Sequence, residues 1–331
     1  MNLTSEQQIY ETSCRILGAT HINIANVLSK KLLINHIFAI VFNGFLIIPT
    51  ILLNTVAIIT IWKSPQLRSK ACYFIILVQS AVDLAVGVVS IPLFIFYLWS
   101  RLAGNVKYCY AAFFAFQSTL LPLGLSSIIL TALTLERYIA IVHPYSYNRE
   151  VTKKRLLLFI GSCFVFEFSV FTLPFSGFQS LLELYAVIKM TLVFLFIAFS
   201  YAKIYLVVRK ISRSQCKPQD PSSNENLTRM KLFLREIRQA KACFIVVICF
   251  CALSFLPTIT VFPFALVLDQ FEELAIQAWI VTFGLLNSSI NTVIFFWTKT
   301  MLKKEAFKIF KRSWWAIPKI MAKSISTLQN D

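Results

Sequence analysis

The sequence YCYAAFFAFQSTLLPLGLSSIILTALTL at residues 108–135 contains no charged residue and runs directly into ERYIAIVHP at residues 136–144. A helix of roughly 20 apolar residues is long enough to cross the hydrocarbon core of a bilayer. The first stretch therefore predicts a membrane-spanning helix, and Glu136 and Arg137 mark its polar end. The same apolar pattern recurs along the chain, and this recurrence decides the fold class.

Six further apolar segments are long enough to span a bilayer, which makes seven in total. Charged residues make up only 14% of the chain, against about 25% in soluble domains. Inside the segments, the only charges are Asp83, Glu167 and Lys189. We therefore predict an all-α membrane protein with a seven-transmembrane helix bundle. The segments are Ile37–Trp62, Ala71–Ser100, Tyr108–Leu135, Leu156–Leu173, Leu184–Ala202, Ala242–Leu268 and Leu274–Thr298.

The segments divide the chain into three parts. Residues 1–36 are predicted to form an extracellular N-terminal segment, residues 37–298 the bundle, and residues 299–331 a cytoplasmic tail. The tail begins with Lys299–Arg312, where lysines surround an apolar stripe. This pattern is typical of a short amphipathic helix on a membrane surface.

Lysine and arginine residues are concentrated on one side of the predicted bundle. Of the 32 basic residues, 25 fall in the loops and tail on the side of Arg137. Because basic loops stay in the cytoplasm, we predict an extracellular N-terminus and a cytoplasmic C-terminus. The net charge of +17 then reflects topology and contact with anionic membrane lipid, and it does not indicate nucleic-acid binding.

The triplet Glu136-Arg137-Tyr138 is the most specific motif in the chain. At the foot of the third of seven spans, it closely resembles the Asp/Glu-Arg-Tyr motif of the rhodopsin-like (class A) G protein-coupled receptors. The resemblance covers about residues 37–312. It implies a plasma-membrane receptor that binds an extracellular ligand and activates a heterotrimeric G protein, with Arg137 at the coupling end.

A second group of residues resembles the buried sodium site of this family. Asp83 lies in Ala81–Gly87, which is similar to the family's Leu-Ala-x-x-Asp element. A carboxylate at membrane depth is costly without partners, and the alternative is a lone protonated aspartate satisfied by a neighbour. The resemblance implies a sodium ion as the only cofactor, an allosteric modulator with Asp83 as its charged ligand. The implied ion and water network consists of Asn54, Asp83, Ser126, Asn287 and Asn291.

Further motifs are present in altered form. Ser254–Pro257 resembles the family's Cys-Trp-x-Pro element, and Asn291–Phe295 resembles Asn-Pro-x-x-Tyr. Because proline removes a helix hydrogen bond, Pro257 is predicted to be a hinge in the sixth helix. At rest, Glu136 is expected to hold Arg137, with Glu236 as a second partner. The residues assigned to the coupling switch are Glu136, Arg137, Tyr138, Pro144, Tyr201, Glu236, Phe255, Pro257, Asn291 and Phe295.

The resemblance argues against three ligand classes. Thr119 stands where amine receptors have an aspartate, Leu285 where retinal pigments have a lysine, and Phe262 where adenosine receptors have an asparagine. Lys189 either contacts an anionic ligand or pairs with Glu167. The ligand is left open as a small molecule, lipid or peptide, and the candidate pocket residues are Thr119, Lys189, Phe255 and Phe262.

Only two of the eight cysteines, Cys14 and Cys109, fall on the predicted outer side. Most family members tie the third helix to the second outer loop, but residues 171–184 contain no cysteine. A Cys14–Cys109 bridge and two free thiols are the alternatives. The missing bridge resembles the melanocortin and lysophospholipid branch, whereas Pro92 resembles amine and adenosine receptors. Asn2 begins an Asn-Leu-Thr pattern and is a candidate glycosylation site.

Two other functional classes are weighed against the receptor. The three histidines are widely separated and no catalytic motif is present, so the chain is predicted not to be an enzyme. A transporter or channel is the alternative because Asp83, Glu167 and Lys189 lie at membrane depth. Transporters usually carry internal repeats and broken helices, and the sequence has neither.

Overall fold

Seven helices form the bundle in the computed structural model, which describes residues 10–16, 20–26, 30–103, 109–173, 179–215, 234, 237, 243–255 and 270–311. The predicted fold class is confirmed for the bundle. We number its helices one to seven in chain order and call the surface helix that follows them helix eight. Helix one is Lys30–Lys63, three is Cys109–Val142, four is Lys153–Phe171, five is Gln179–Gln215 and seven is Gln270–Thr298.

Helices two and six each contain a π-helical turn. Helix two runs through Ala71–Ala85, the π turn Val86–Ser90 and Ile91–Ala103. Helix six is described over residues 243–250 and the π turn Cys251–Phe255. An extra residue in one helical turn rotates the side chains beyond it and often marks a functional position. Both turns lie near predicted motifs, since the first follows Asp83 and the second precedes Pro257 in sequence.

Two single helical turns, a surface helix and a β-hairpin complete the described secondary structure. Single helical turns at Pro65–Arg68 and Tyr147–Glu150 connect helices one to two and three to four, and helix eight covers residues 300–311. The strands Tyr10–Ile16 and Thr20–Asn26 pair in an antiparallel hairpin. The hairpin was not predicted, and it lies against the adjacent ends of helices two and three.

Length and composition support a membrane-spanning bundle. Within the described residues, five helices are long and apolar enough to cross a membrane. Helix four has 19 residues and begins with three basic ones, and the described apolar part of helix six is short. Large apolar side chains such as Phe45, Leu158 and Trp297 are exposed on the outside of the bundle. Lipid is the solvent in which such a surface is stable.

Most of the helices extend beyond their predicted apolar segments, and helices one and three show the reasons. Helix one begins at Lys30 instead of Ile37, because the polar side chains in its first turns have partners or are buried. His36 is buried, and Asn35 accepts a hydrogen bond of 2.8 Å from Trp279. Helix three continues to Val142, so Glu136 and Arg137 lie inside a helix and their orientations are fixed by its backbone.

A line of polar side chains joins helices one and seven. Asn43 donates to Thr282 (2.8 Å), Thr50 bonds to Ser289 (2.6 Å), and Thr292 donates to Asn54 (2.5 Å). Interhelical hydrogen bonds of this kind contribute about 0.6 kcal/mol each in a membrane. Together with the close approach of helix two at Gly87, where a Cβ atom would lie 3.0 Å from Ile51, they hold the first, second and seventh helices together.

Candidate functional site

The first candidate site lies at the end of the bundle that carries the basic loops, which we call the basic end. Glu136 and Arg137 are adjacent in helix three and form an ion pair, in which two guanidinium nitrogens donate to the two carboxylate oxygens. Both side chains are buried, with 0% and 2% of their surface exposed. Tyr147, from the turn after helix three, donates to the same carboxylate at 2.6 Å. Glu136, Arg137 and Tyr147 form what we call the basic-end cluster.

Burial and the negative charge of Glu136 raise the pKa of the Tyr147 hydroxyl above its usual range. The hydroxyl therefore keeps its proton and remains a hydrogen-bond donor at physiological pH. An arginine paired in this bidentate manner is held in one orientation. At this end of the bundle, Glu136 therefore holds the Arg137 guanidinium against helix three.

The second candidate site is a cavity of about 180 Å³ in the opposite half of the bundle. Helices three to seven all contribute to its wall, which is mostly apolar. A charged cluster interrupts this wall: Lys189 and Tyr185 of helix five donate to the two oxygens of Glu167 from helix four. We call Glu167, Tyr185 and Lys189 the cavity cluster.

Gly124 of helix three makes room for the cavity cluster. A Cβ atom at this position would collide with the Glu167 carboxylate, so the close packing of helices three and four depends on the glycine. The Lys189 amine lies 5.1 Å from the centre of the Tyr185 ring, which adds a cation–π contact. The cluster places two charged groups on the cavity wall, with 7% and 14% of the side chains of Glu167 and Lys189 exposed.

A third polar site lies between the two clusters, around Asp83 of helix two, which is fully buried. Ser126 of helix three donates to one carboxylate oxygen at 3.2 Å, and Gln79 donates to the other at 3.0 Å. Asn287 and Asn291 of helix seven line a small adjacent space with Gln79 and Ser126. Ser126 and Asn287 also line the larger cavity, so the Asp83 site lies at the inner end of that cavity.

Comparison with known proteins assigns this arrangement to a family. The profile described as "7 transmembrane receptor (rhodopsin family)" matches residues 53–183. The matched segment, which is less than half of the chain, belongs to the rhodopsin family. The match covers the segment that carries Asp83, Ser126, Glu136 and Arg137. The family consists of multi-pass plasma-membrane receptors and is not a family of enzymes.

Individual relatives are adenosine receptors. Adenosine receptor A2a of Cavia porcellus is 34% identical over 131 residues, which is 39% of this chain and 31% of the relative. Adenosine receptor A2a of Homo sapiens is 31% identical over 130 residues, again 39% of this chain and 30% of the relative. The matched part thus spans about a third of these receptors. Adenosine receptor A3 of Canis lupus familiaris is 24% identical over 279 residues, 78% of this chain and 86% of the relative.

Most described members of the predicted coupling switch lie near the basic end of the receptor. Tyr138 packs against Phe199 with ring centres 6.4 Å apart, and Tyr201 packs against Phe244 at 4.9 Å. Pro144 is exposed in the turn after helix three. Phe295 is buried, as is Asn291, beside which it lines the small space near Asp83.

The receptor brings the Asp83 group together only in part. Ser126 bonds to Asp83 directly, and Asn287 and Asn291 lie beside it. Asn54 instead belongs to the polar line between helices one and seven, where its amide donates to backbone oxygens and its own oxygen accepts from Thr292.

Of the predicted ligand residues that the structure describes, one lines the cavity and one does not. Lys189 lines the cavity and pairs with Glu167, which is the internal pairing that the sequence left open. Thr119 does not line the cavity: it is buried and donates to Ser90 of helix two at 3.3 Å and to Ala115 at 2.8 Å. The geometry therefore does not support ligand contact by Thr119. Asn2, Glu236, Pro257 and Phe262 lie outside the described residues, as do the side chains of Cys14, Cys109 and Phe255.

Sequence reasoning missed four residues of these sites. Tyr147 and Tyr185 are ordinary aromatic residues in sequence, and only the fold places their hydroxyls on buried carboxylates. Gln79 had one available signal, because it precedes Asp83 by four residues and so shares its helical face. Lys299 is buried between helices two and six, with its amine 3.7 Å from the Cys72 sulfur and 3.9 Å from that of Cys243.

Proposed function

We propose that the receptor binds an extracellular ligand in the cavity and activates a heterotrimeric G protein at its basic end. The N-terminus then lies outside the plasma membrane and the C-terminus in the cytoplasm, as the distribution of basic residues favours. The observation that carries the proposal is the buried Glu136–Arg137 pair, located in the opposite half of the bundle from the cavity. Two separate sites on one bundle are what coupling between a ligand and a partner requires.

The coupling step starts from the Arg137 guanidinium in its pair with Glu136. In the resting state, Glu136 and Tyr147 hold the charge of Arg137 in place. A ligand that favours a second arrangement of the helices shifts the population away from this state. We propose that helix six then moves outward about Pro257 and opens a cleft floored by Arg137, which a G protein α subunit enters and where it competes with Glu136 for the guanidinium.

The cavity wall indicates the class of ligand. Its surface is mostly apolar, and its charged residues, Glu167 and Lys189, neutralise each other. An unpaired charge on the ligand would have to break this pair in a medium of low dielectric, which is costly. We propose an uncharged or zwitterionic ligand with an apolar body and one polar group placed against the cavity cluster.

The relatives are named for adenosine, which makes it one compound to test. Phe262 argues against it, because this large apolar side chain stands where adenosine receptors have an asparagine. A site built to hydrogen-bond its ligand binds poorly when such a partner is missing. We therefore expect a ligand with less hydrogen-bonding capacity than a nucleoside.

The proposal is tested with full-length receptor reconstituted in lipid vesicles with heterotrimeric G proteins. Lipid, peptide and nucleoside libraries, adenosine included, are scored by guanine-nucleotide exchange and, in parallel, by transmembrane current and solute uptake. Glu136→Gln should raise exchange in the absence of ligand, because it weakens the hold on Arg137. Glu150→Gln, an exposed carboxylate at the same end, is the matched control and should leave exchange unchanged. Current or uptake without any exchange would instead support the transporter or channel.

A further inference from the structure

The inference starts from the Gln79 side chain, which lies one helical turn before Asp83 on the same face of helix two. Its amide nitrogen is 3.0 Å from an Asp83 oxygen and 2.6 Å from the Ser126 hydroxyl. An amide nitrogen has two N–H donors, and both are used here. Gln79 therefore bridges helices two and three at the point where Asp83 and Ser126 face each other.

Both oxygens of the Asp83 carboxylate have a side-chain partner. The Ser126 hydroxyl accepts from Gln79 and donates to the second Asp83 oxygen at 3.2 Å, which closes a ring of three side chains. The two donors Gln79 and Ser126 therefore take up the side of the carboxylate that faces helix three.

A sodium ion does not fit this arrangement. An ion that bridged Asp83 and Ser126 would have to occupy the position of the Gln79 amide nitrogen. The adjacent space of about 10 Å³ has room for about one water molecule, and Asn287 and Asn291 line it. Their side-chain oxygens are buried without a hydrogen-bond partner among the described residues, so what this space lacks is hydrogen-bond donors, which a water molecule supplies.

We propose that the Gln79 amide takes the place of the sodium ion in this receptor and that its resting state is consequently insensitive to sodium. The amide supplies hydrogen-bond donors where a cation would supply charge, and it is covalently attached to helix two. Its occupancy therefore does not depend on salt concentration. The sodium sensitivity implied by the sequence resemblance is replaced by a fixed contact between helices two and three.

The experiment compares the thermal midpoint, Tm, of the full-length receptor in lipid nanodiscs in sodium chloride and in choline chloride of equal concentration. An ion that binds the native state raises Tm. Wild-type receptor should have the same Tm in both salts. Gln79→Met removes the donors while keeping the side-chain length, and its Tm should be at least about 2 °C higher in sodium. The double variant Gln79→Met/Asp83→Asn should lose this difference.

Gln117→Met is the matched control, because it makes the same change at another buried glutamine. Gln117 lies about two and a half turns before Ser126 in helix three. The variant should gain no sodium response. The inference is overturned if wild-type Tm rises in sodium and Asp83→Asn abolishes the rise, or if folded Gln79→Met gains nothing. Should Gln79→Met fail to fold, sodium-23 NMR of wild type decides: line broadening that Asp83→Asn removes contradicts the inference, and equal spectra support it.

Discussion

The basic-end cluster and the cavity cluster each combine a carboxylate, a basic side chain and a tyrosine hydroxyl, but in different surroundings. In each, a buried glutamate accepts from a basic side chain and from a tyrosine hydroxyl. Glu136 and Arg137 are neighbours in one helix, whereas Glu167 and Lys189 come from helices four and five. The Glu136–Arg137 pair is closed to solvent, whereas Glu167 and Lys189 lie on a cavity wall.

This difference indicates how each cluster can respond to another molecule. A pair within one helix stays together when helices shift, so only a competing partner for Arg137 or a change at Tyr147 can open it. A pair between two helices changes whenever those helices move or a ligand enters the cavity. The planar guanidinium holds its glutamate with two bonds, while the lysine amine acts as a single charge. The cavity cluster is therefore the more responsive of the two.

The largest expected effect is a loss of nucleotide exchange when the basic-end cluster is changed and the cavity cluster is not. Arg137→Ala should lower G protein nucleotide exchange by at least tenfold, because it removes the charge that we propose the G protein meets. Ligand affinity at the cavity should change little, since the cavity lies in the other half of the bundle. Exchange assays and ligand binding on the same vesicles check this, and unchanged exchange in a well-expressed variant would contradict the proposed function.

The next largest effect concerns stability. Glu167→Gln leaves Lys189 buried without its counter-charge, and breaking a buried pair in this manner costs about 3–5 kcal/mol. We expect a large loss of Tm and of surface expression. Glu167→Gln/Lys189→Met removes both charges and should recover most of the loss. If the double variant were no better than the single one, the pair would not be the source of the stability.

A smaller effect compares the two tyrosines. Tyr147→Phe and Tyr185→Phe each remove one hydrogen bond to a charged group, which is worth about 1.5–3 kcal/mol. Tyr147→Phe should raise ligand-free nucleotide exchange severalfold, because Glu136 then holds Arg137 less firmly. Tyr185→Phe should leave ligand-free exchange unchanged and shift ligand affinity instead. Equal effects of both variants on exchange would show that the clusters do not have separate roles.

The smallest effect is expected at an exposed pair. Glu150 bonds to Arg149 at 2.9 Å and to Arg155 at 2.7 Å, and all three side chains are exposed. The Arg149 hydrogen bond and the neighbouring positive charges lower the pKa of Glu150. Its contribution to stability is therefore present above the unfolded-state pKa and is lost as the pH falls through the lower folded-state pKa. Because solvent screens the pair, Glu150→Gln should change Tm at neutral pH by less than about 1 °C, a difference that a melting curve can resolve.

The fold class was predictable because apolar length is a property of the sequence itself. In a bilayer, every backbone polar group must be bonded internally, so a charge-free run such as residues 108–135 has few alternatives to a helix. The exact helix bounds were less predictable. Helix one begins at Lys30 because Asn35 accepts a hydrogen bond from Trp279 of helix seven, a partner 244 residues away.

Some features of the candidate sites could likewise be predicted from the sequence, and others could not. The sequence by itself determined the helical bundle and the concentration of basic residues on one side. Through the family resemblance it also implied the Glu136–Arg137 pair and placed Asp83 and Ser126 in one group. Contacts between distant residues were decided by the tertiary structure: Glu167 with Lys189, Tyr147 with Glu136, and the Gln79 amide between Asp83 and Ser126. The physical reason is that composition and periodicity specify which face of a helix is polar, but the rotation and packing of the helices decide which polar groups meet.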